Sequence, residues 1–309
     1  MNPLLLSGVS EQSYNQQVVL ILEHSFWLKK QGYRESTVST ATHSLKALAK
    51  GCDLMNPEDV KENIAFRQVS EAQKEKLCSV YDRYCKQHSL IWSIPKYRRV
   101  TRLPYVPKQD DIILLINALS RRQGTFVQLI METGARAGEV WQLKWIDIDS
   151  ENNAITINNP EKNSNPRKLR VSKALIAKLN ALTRKCPCVF KVQEKSNFLS
   201  FARCFYKARL RIAEELKNPN IDRINLKSLR HFRASQIYAQ TKDLLYTQRQ
   251  LGHRSISSTM VYVHLTEFEE DGFFIVKVAG DLNEFVGLIE SGFEFISDYD
   301  GKKVCRKRK

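Results

Sequence analysis

The stretch LGHRSISSTMVYVH, residues 251–264, places Tyr262 nine residues after His253, which ends a Leu-Gly-His turn. Between two valines, a tyrosine is most simply a core aromatic. It can also be a nucleophile, but a phenol with an ordinary pKa of about 10 attacks nothing at neutral pH without help from other groups. Attack on a phosphodiester sets definite demands. The non-bridging oxygens need cations, best arginines with their planar, permanently charged forks, and the leaving oxygen needs a proton donor such as a lysine. The chain has candidates for each part. In TGARAGEVWQLKW, Arg136 follows a Gly turn at the start of a short helix, with Glu139 one turn on. KSLRHFRAS sets Lys227, Arg230 and His231 at another helix start, where backbone N–H groups attract phosphate. The basic loop NPEKNSNPR adds Lys162 and Arg167, followed by Lys168. Taken singly, each has a plain alternative: an i,i+3 surface ion pair, a solvated helix face, an exposed loop lysine or, for His231, a packing histidine.

Taken together and in order, the motifs resemble the tyrosine recombinase (phage integrase) family. TGARAGEVWQLKWIDID is similar to its first box, LKSLRHFRAS to its second, and LGHRSISSTMVYVH to its last segment. The resemblance runs over roughly residues 12–265 and is strongest from 127 to 264. It implies Arg136 and Arg230 as the catalytic arginines, Glu139 as a supporting acid, His253 in the turn and Tyr262 as the nucleophile. The hairpin lysine corresponds to Lys162, with Lys168 as second choice. One position departs from the pattern. The second box usually opens with a histidine that contacts the scissile phosphate and does acid–base work, and here that place holds Lys227. Lysine donates to phosphate but accepts protons poorly at neutral pH, so the general base stays open between His253 and His231. A Lys-x-x-Arg second box resembles integrases of archaeal viruses and plasmids.

What the resemblance implies is a site-specific recombinase, an integrase of a mobile element. It would cut DNA through a 3′-phosphotyrosyl intermediate, free a 5′-hydroxyl, and need neither ATP, metal nor other cofactor. The implied partners are double-stranded DNA and further copies of the chain, as a tetramer on two DNA sites, which leaves room for a monomer off DNA. A topoisomerase-like enzyme that only relaxes DNA, or a DNA-binding regulator with a decayed site, are the alternatives.

The elements that must position these residues are mostly helical. In the first hundred residues, Val18–Leu28 reads as one helix. Ser36 is a plausible cap for the next, with Val38, Ala41, Leu45 and Leu48 at helical spacing and Gly51 as a stop. Asn56-Pro57 opens a third, and Leu77, Val80, Tyr81 and Tyr84 stripe a fourth. The resemblance makes residues 12–92 a helical, SAM-like core-binding domain, in which Lys46 and Lys50 are candidate DNA contacts. Residues 93–108 form a linker with three prolines and no acid, whose Lys96, Arg98, Arg99 and Arg102 suit a strap along phosphates. Residues 109–265 read as the catalytic domain: helices, with one small antiparallel sheet from WIDID, AITIN and KLRVS. The expected fold is therefore mainly α with a small antiparallel β-sheet, the resemblance adding a C-shaped clamp around the duplex. In 266–309, a strand-helix-strand pattern precedes a basic end, KKVCRKRK, which reads as a solvated tail or, more sharply, as a phosphate contact.

Composition agrees. The 309 residues are 42% hydrophobic, enough for two cores, and carry a net charge of +16. Segment 266–301 alone is net −9, which leaves +25 on the remainder and favours a polyanionic partner. The seven scattered cysteines, with only Cys186 and Cys188 close together, suit reduced thiols in a cytoplasm and make poor zinc spacing. No aliphatic run is long enough for a membrane span, and the first residues lack the pattern of a signal peptide.

Overall fold

Short polar side chains start most of the helices. In the computed structural model, which describes residues 10–98, 102–162, 164–266, 274–299 and 301–308, Asn56 accepts the N–H groups of Glu58 and Asp59 (3.2 and 3.5 Å). Pro57, which has no N–H to satisfy, occupies the first turn beyond it. The chain divides into two compact units, Met1–Arg102 and Leu103–Lys309.

The first unit holds α1 (Glu11–Lys30), α2 (Glu35–Ala49), α3 (Pro57–Phe66) and α4 (Glu71–His88). Its core takes Ile21 and Leu28 from α1, the Val38, Ala41, Leu45, Leu48 stripe from α2, and Leu77, Val80, Tyr81 and Tyr84 from α4. Ser36 does not cap α2. The helix begins two residues earlier, at Glu35, and the extended cap backbone is that of Arg34, whose side chain makes no capping bond. An acid in the first turn serves the helix dipole instead. Beyond the end of α2, Gly51 lets Asn63 approach: an added Cβ would lie 2.6 Å from Asn63 Nδ2, which donates to the Gly51 carbonyl (3.0 Å).

The second unit runs α5 (Gln109–Ala118), α6 (Arg121–Thr133), α7 (Ala137–Trp141), a 3-10 turn (Trp145–Asp147), then β1 (Ile148–Asp149), β2 (Ala154–Ile157) and β3 (Arg167–Arg170). It continues with α8 (Lys173–Asn180), α9 (Phe198–Glu215), α10 (Pro219–Arg223), α11 (Leu226–Thr241), α12 (Leu244–Leu251) and α13 (Ser257–Thr266). The antiparallel order β1-β2-β3 pairs Ile155 with Leu169, both buried. Most of WIDID is not strand. Asp147 accepts the Lys144 N–H (3.0 Å) and the Trp145 N–H reaches Pro187 O (3.1 Å), which curls the segment before β1 can form. The core is aromatic at its centre: Phe126 meets Phe190 edge-on at 4.9 Å and Phe201 at 4.7 Å.

The C-terminal end is a second sheet. β4 (Phe274–Ala279), β5 (Glu294–Tyr299) and β6 (Lys302–Arg308) form an antiparallel sheet in the order β4-β6-β5, with α14 (Leu282–Glu290) joining β4 to β5. The basic end is thus the middle strand and not a solvated tail, because Cys305 turns inward opposite Phe295 and Lys277. Its lysines lie along aromatic faces, Lys303 being 4.9 Å from the Phe285 ring centre.

Candidate active site

Arg230 is held by the ends of two other helices. α11 starts where Asn225 accepts the Lys227 and Ser228 N–H groups (3.0 and 2.9 Å) and donates its own N–H to Ser228 Oγ (3.0 Å). One turn on, the Arg230 side chain runs into the unit at 6% exposure and donates to Gly134 O and to Leu251 O (2.8 Å). Both carbonyls lie at helix C-termini, those of α6 and α12, where Gly134 and Gly252 turn the chain with φ of 65° and 70°. Glycine suits that left-handed backbone, and the negative helix ends suit a buried cation. Burial, then Arg136 and Arg167, pushes the guanidinium down to about 9, still protonated at neutral pH.

Glu139 organises the other cations. Its fully buried carboxylate accepts from the Arg136 N–H (2.9 Å) and Arg136 Nη1 (3.1 Å). It also accepts from the Glu161 N–H (3.2 Å) and Arg167 Nη2 (2.6 Å). Burial pushes the carboxyl up, but Arg167, the Arg136 N–H and Arg230 outweigh it and the net direction is down. Arg136 donates further to Ser164 Oγ and to Glu161 O (3.4 Å), so the loop between β2 and β3 is fastened to the start of α7. Arg167 and Asn165 also press on Gly252, where an added Cβ would lie 2.8 Å from Arg167 Nη1. Loop, α7 and the Leu-Gly-His turn are one connected assembly.

His253 Nδ1 bonds Thr259 Oγ1 (2.9 Å), which ties the turn to α13. Burial, then Arg230, Arg136 and Arg167, pushes its imidazole down to about 3. Tyr262 lies one turn further along α13 at 2% exposure, packed with Ala234 and Leu251. Its hydroxyl is 3.1 Å from His231 Nδ1 on α11. Burial raises the phenol, with Arg230 and then Arg136 pulling the other way. His231 is pushed down to about 4 by burial, then by Lys227 and Arg230, so it is neutral at pH 7.

A cavity of about 770 Å³ opens on this assembly. Arg136, Lys162, Lys227, Arg230, His231, His253 and Tyr262 all line it, and Phe198, Phe205 and Tyr206 of α9 give it an apolar wall. Glu139 stands behind Arg136. Lys168 is placed elsewhere, on β3, paired with Asp149 (2.9 Å). Apart from Lys168, the candidate DNA contacts lie in the first unit: Lys46 half-buried on α2, with Lys50, Lys96, Arg98 and Arg102 exposed. Arg99 falls outside the described residues. Sequence reasoning gave no place to Thr259 or Ser164, and it named Arg167 only as a loop base. The loop's density of bases was the one signal available for Arg167, since its partner lies 28 residues away.

The model of the phage integrase family matches residues 107–269. The chain belongs to the phage integrase family. It is a tyrosine recombinase. Among its relatives, "Probable integrase/recombinase protein MJ0367" of Methanocaldococcus jannaschii is 25% identical over 290 residues, covering 80% of this chain and 86% of that one. Tyrosine recombinase XerA of Saccharolobus solfataricus is 28% identical over 208 residues, covering 63% and 67%. The fold is shared with the Tn1549 transposon integrase solved with a circular intermediate DNA, at a TM-score of 0.61 and 12% identity over 81% of this recombinase and 99% of that chain. Among the described residues, no helix is long and apolar enough to cross a membrane.

Proposed function

We propose that this recombinase cuts and rejoins DNA at specific sites with Tyr262 as its nucleophile, in the integration or excision of a mobile element. One observation carries the reading: α7, the β2–β3 loop, α11, the Leu-Gly-His turn and α13 each bring a candidate side chain to the same cavity. In this reading Arg136 and Arg230 bind the two non-bridging oxygens and neutralise charge as it builds on phosphorus. Their own hydrogen bonds to Glu139 and to helix-end carbonyls fix them in advance, so little reorganisation is left for the moment of reaction. Tyr262 Oη forms the bond to phosphorus, the bond to the 5′ oxygen breaks, and Lys162 protonates that oxygen. Lys227 contacts the phosphate as a donor in place of the usual histidine. His253 completes the grip from the turn. Religation reverses the steps, with the 5′-hydroxyl of another strand as nucleophile.

The helical part of the first unit, residues 12–92, serves as the core-binding domain, with Lys46 and Lys50 facing phosphate and the basic segment 93–108 as a strap. The working form is a tetramer on two DNA sites in the cytoplasm. The test uses plasmids carrying DNA that flanks the protein's own coding sequence, either as one copy or as two. Deletion or inversion between two copies is the expected result. Relaxation without exchange would replace recombination by topoisomerase action, and tight binding without any cut would leave a regulator.

A further inference from the structure

We propose that His231 is the proton acceptor for the Tyr262 hydroxyl when it attacks DNA. The proposal rests on the reading of Tyr262 as nucleophile and fills the role that Lys227 leaves open. The hydroxyl and His231 Nδ1 stand 3.1 Å apart, within the reach proton transfer needs, on two helices packed against each other. On the competing histidine, Nδ1 is engaged otherwise. His253 Nδ1 is taken by Thr259, and its backbone N–H and carbonyl are bonded to Gln248. Lys227, three residues before Arg230, is a donor whenever it is charged.

Proton and electron bookkeeping close on these groups. As Tyr262 Oη bonds to phosphorus, its proton passes to Nδ1 and the phosphorus–O5′ bond releases its electron pair to the 5′ oxygen, which Lys162 protonates. Religation runs both transfers backwards. The charged and titratable groups facing the imidazole are Lys227 and Arg230 on its own helix and Tyr262 on α13. Across the cavity stand Arg136, Glu161, Lys162, Tyr206, Arg209 and His253. Burial and, after it, the cations Lys227 and Arg230 hold the free imidazole in its neutral form. An entering phosphate offsets them, so the substrate raises the basicity of the group that must take the proton.

The experiment measures single-turnover cleavage by wild type, His231→Gln, His231→Asn and Tyr262→Phe. The substrate is the fragment of flanking DNA on which wild type forms its adduct, made with oxygen or with sulfur at the bridging 5′ position. Sulfur leaves without a proton, so it relieves loss of the acid and not of the base. The expected result is a fall of about 10²-fold or more for both His231 variants with DNA binding kept. That fall is not relieved by sulfur, and the acid limb of the wild-type pH–rate profile is absent. Cleavage by either variant within about threefold of wild type, with its pH profile unchanged, would overturn the proposal. Relief by sulfur would overturn it too, making His231 an acid. An adduct that survives Tyr262→Phe, or none with wild type, would remove the underlying reading itself.

Discussion

Three positive side chains, Arg136, Arg167 and Arg230, gather around one buried carboxylate, that of Glu139. Removing it strands cations out of water, so Glu139→Ala should cost about 3–5 kcal/mol in urea unfolding, as expected for breaking a buried pair from one side. A change under about 1 kcal/mol, the range of a surface pair, would contradict the arrangement. The histidines give a second prediction. His231 and His253 titrate at about 4 and about 3 when folded, below the ordinary value near 6.5. As pH falls below that value the unfolded chain takes up protons first, so stability declines from about pH 6.5 until the folded groups themselves protonate. Unfolding should therefore be easier at pH 5 than at pH 7, and His253→Gln should lose less over that interval. Equal slopes would rule out the buried neutral imidazole. At this scale the sequence shows much of the site, because Arg136, Arg230, His253 and Tyr262 each sit in a short motif that carries its own turn or cap. The Arg167–Glu139 and His231–Tyr262 pairs are invisible there. They join residues 28 and 31 positions apart, and only tertiary packing sets such distances.

Elements with clean periodicity and capping are legible in the amino-acid pattern alone: the α2 stripe, the Asn56-Pro57 start of α3 and the long helices of the second unit. Those misread or missed owe their form to neighbours. SSTMVYVH has two β-branched valines around Tyr262 and little one-sided pattern, yet it is helix α13, packed on α11 and held to the turn by Thr259. KKVCRKR looks like a solvated tail because of its charge, and it becomes a central strand because acids on β5 meet it, with Asp298 3.6 Å from Lys303 and Glu294 3.6 Å from Arg306. The Leu-Gly-His turn carries the prediction at this scale. In Gly252→Ala the left-handed backbone costs about 1–2 kcal/mol, and the new Cβ pushes on Arg167 and on Asn165 O, 3.1 Å away. The variant should melt earlier and lose more cleavage than DNA binding. Wild-type cleavage with wild-type melting would show that the turn does not position the loop.

At the scale of the whole molecule, two units each have their own core, and the charge outside the acidic segment 266–301 is strongly positive. On the proposed function, such a charge would hold DNA largely by releasing counterions. If about six phosphates are contacted, raising salt from 50 to 200 mM should weaken binding roughly 10³-fold. A flat salt dependence would mean that the positive surface is not the DNA-binding face. The charge balance could be read directly from composition, whereas which bases meet phosphate could not, because an exposed lysine looks the same in sequence whether or not it touches a ligand. The most direct test of the central claim is covalent trapping. Wild type and Tyr262→Phe are each incubated with supercoiled DNA carrying the flanks of the coding sequence, then denatured in detergent. A protein–DNA adduct with wild type and none with Tyr262→Phe, at equal binding, is the predicted result. An adduct of equal yield in both would place the nucleophile on another residue and contradict the account.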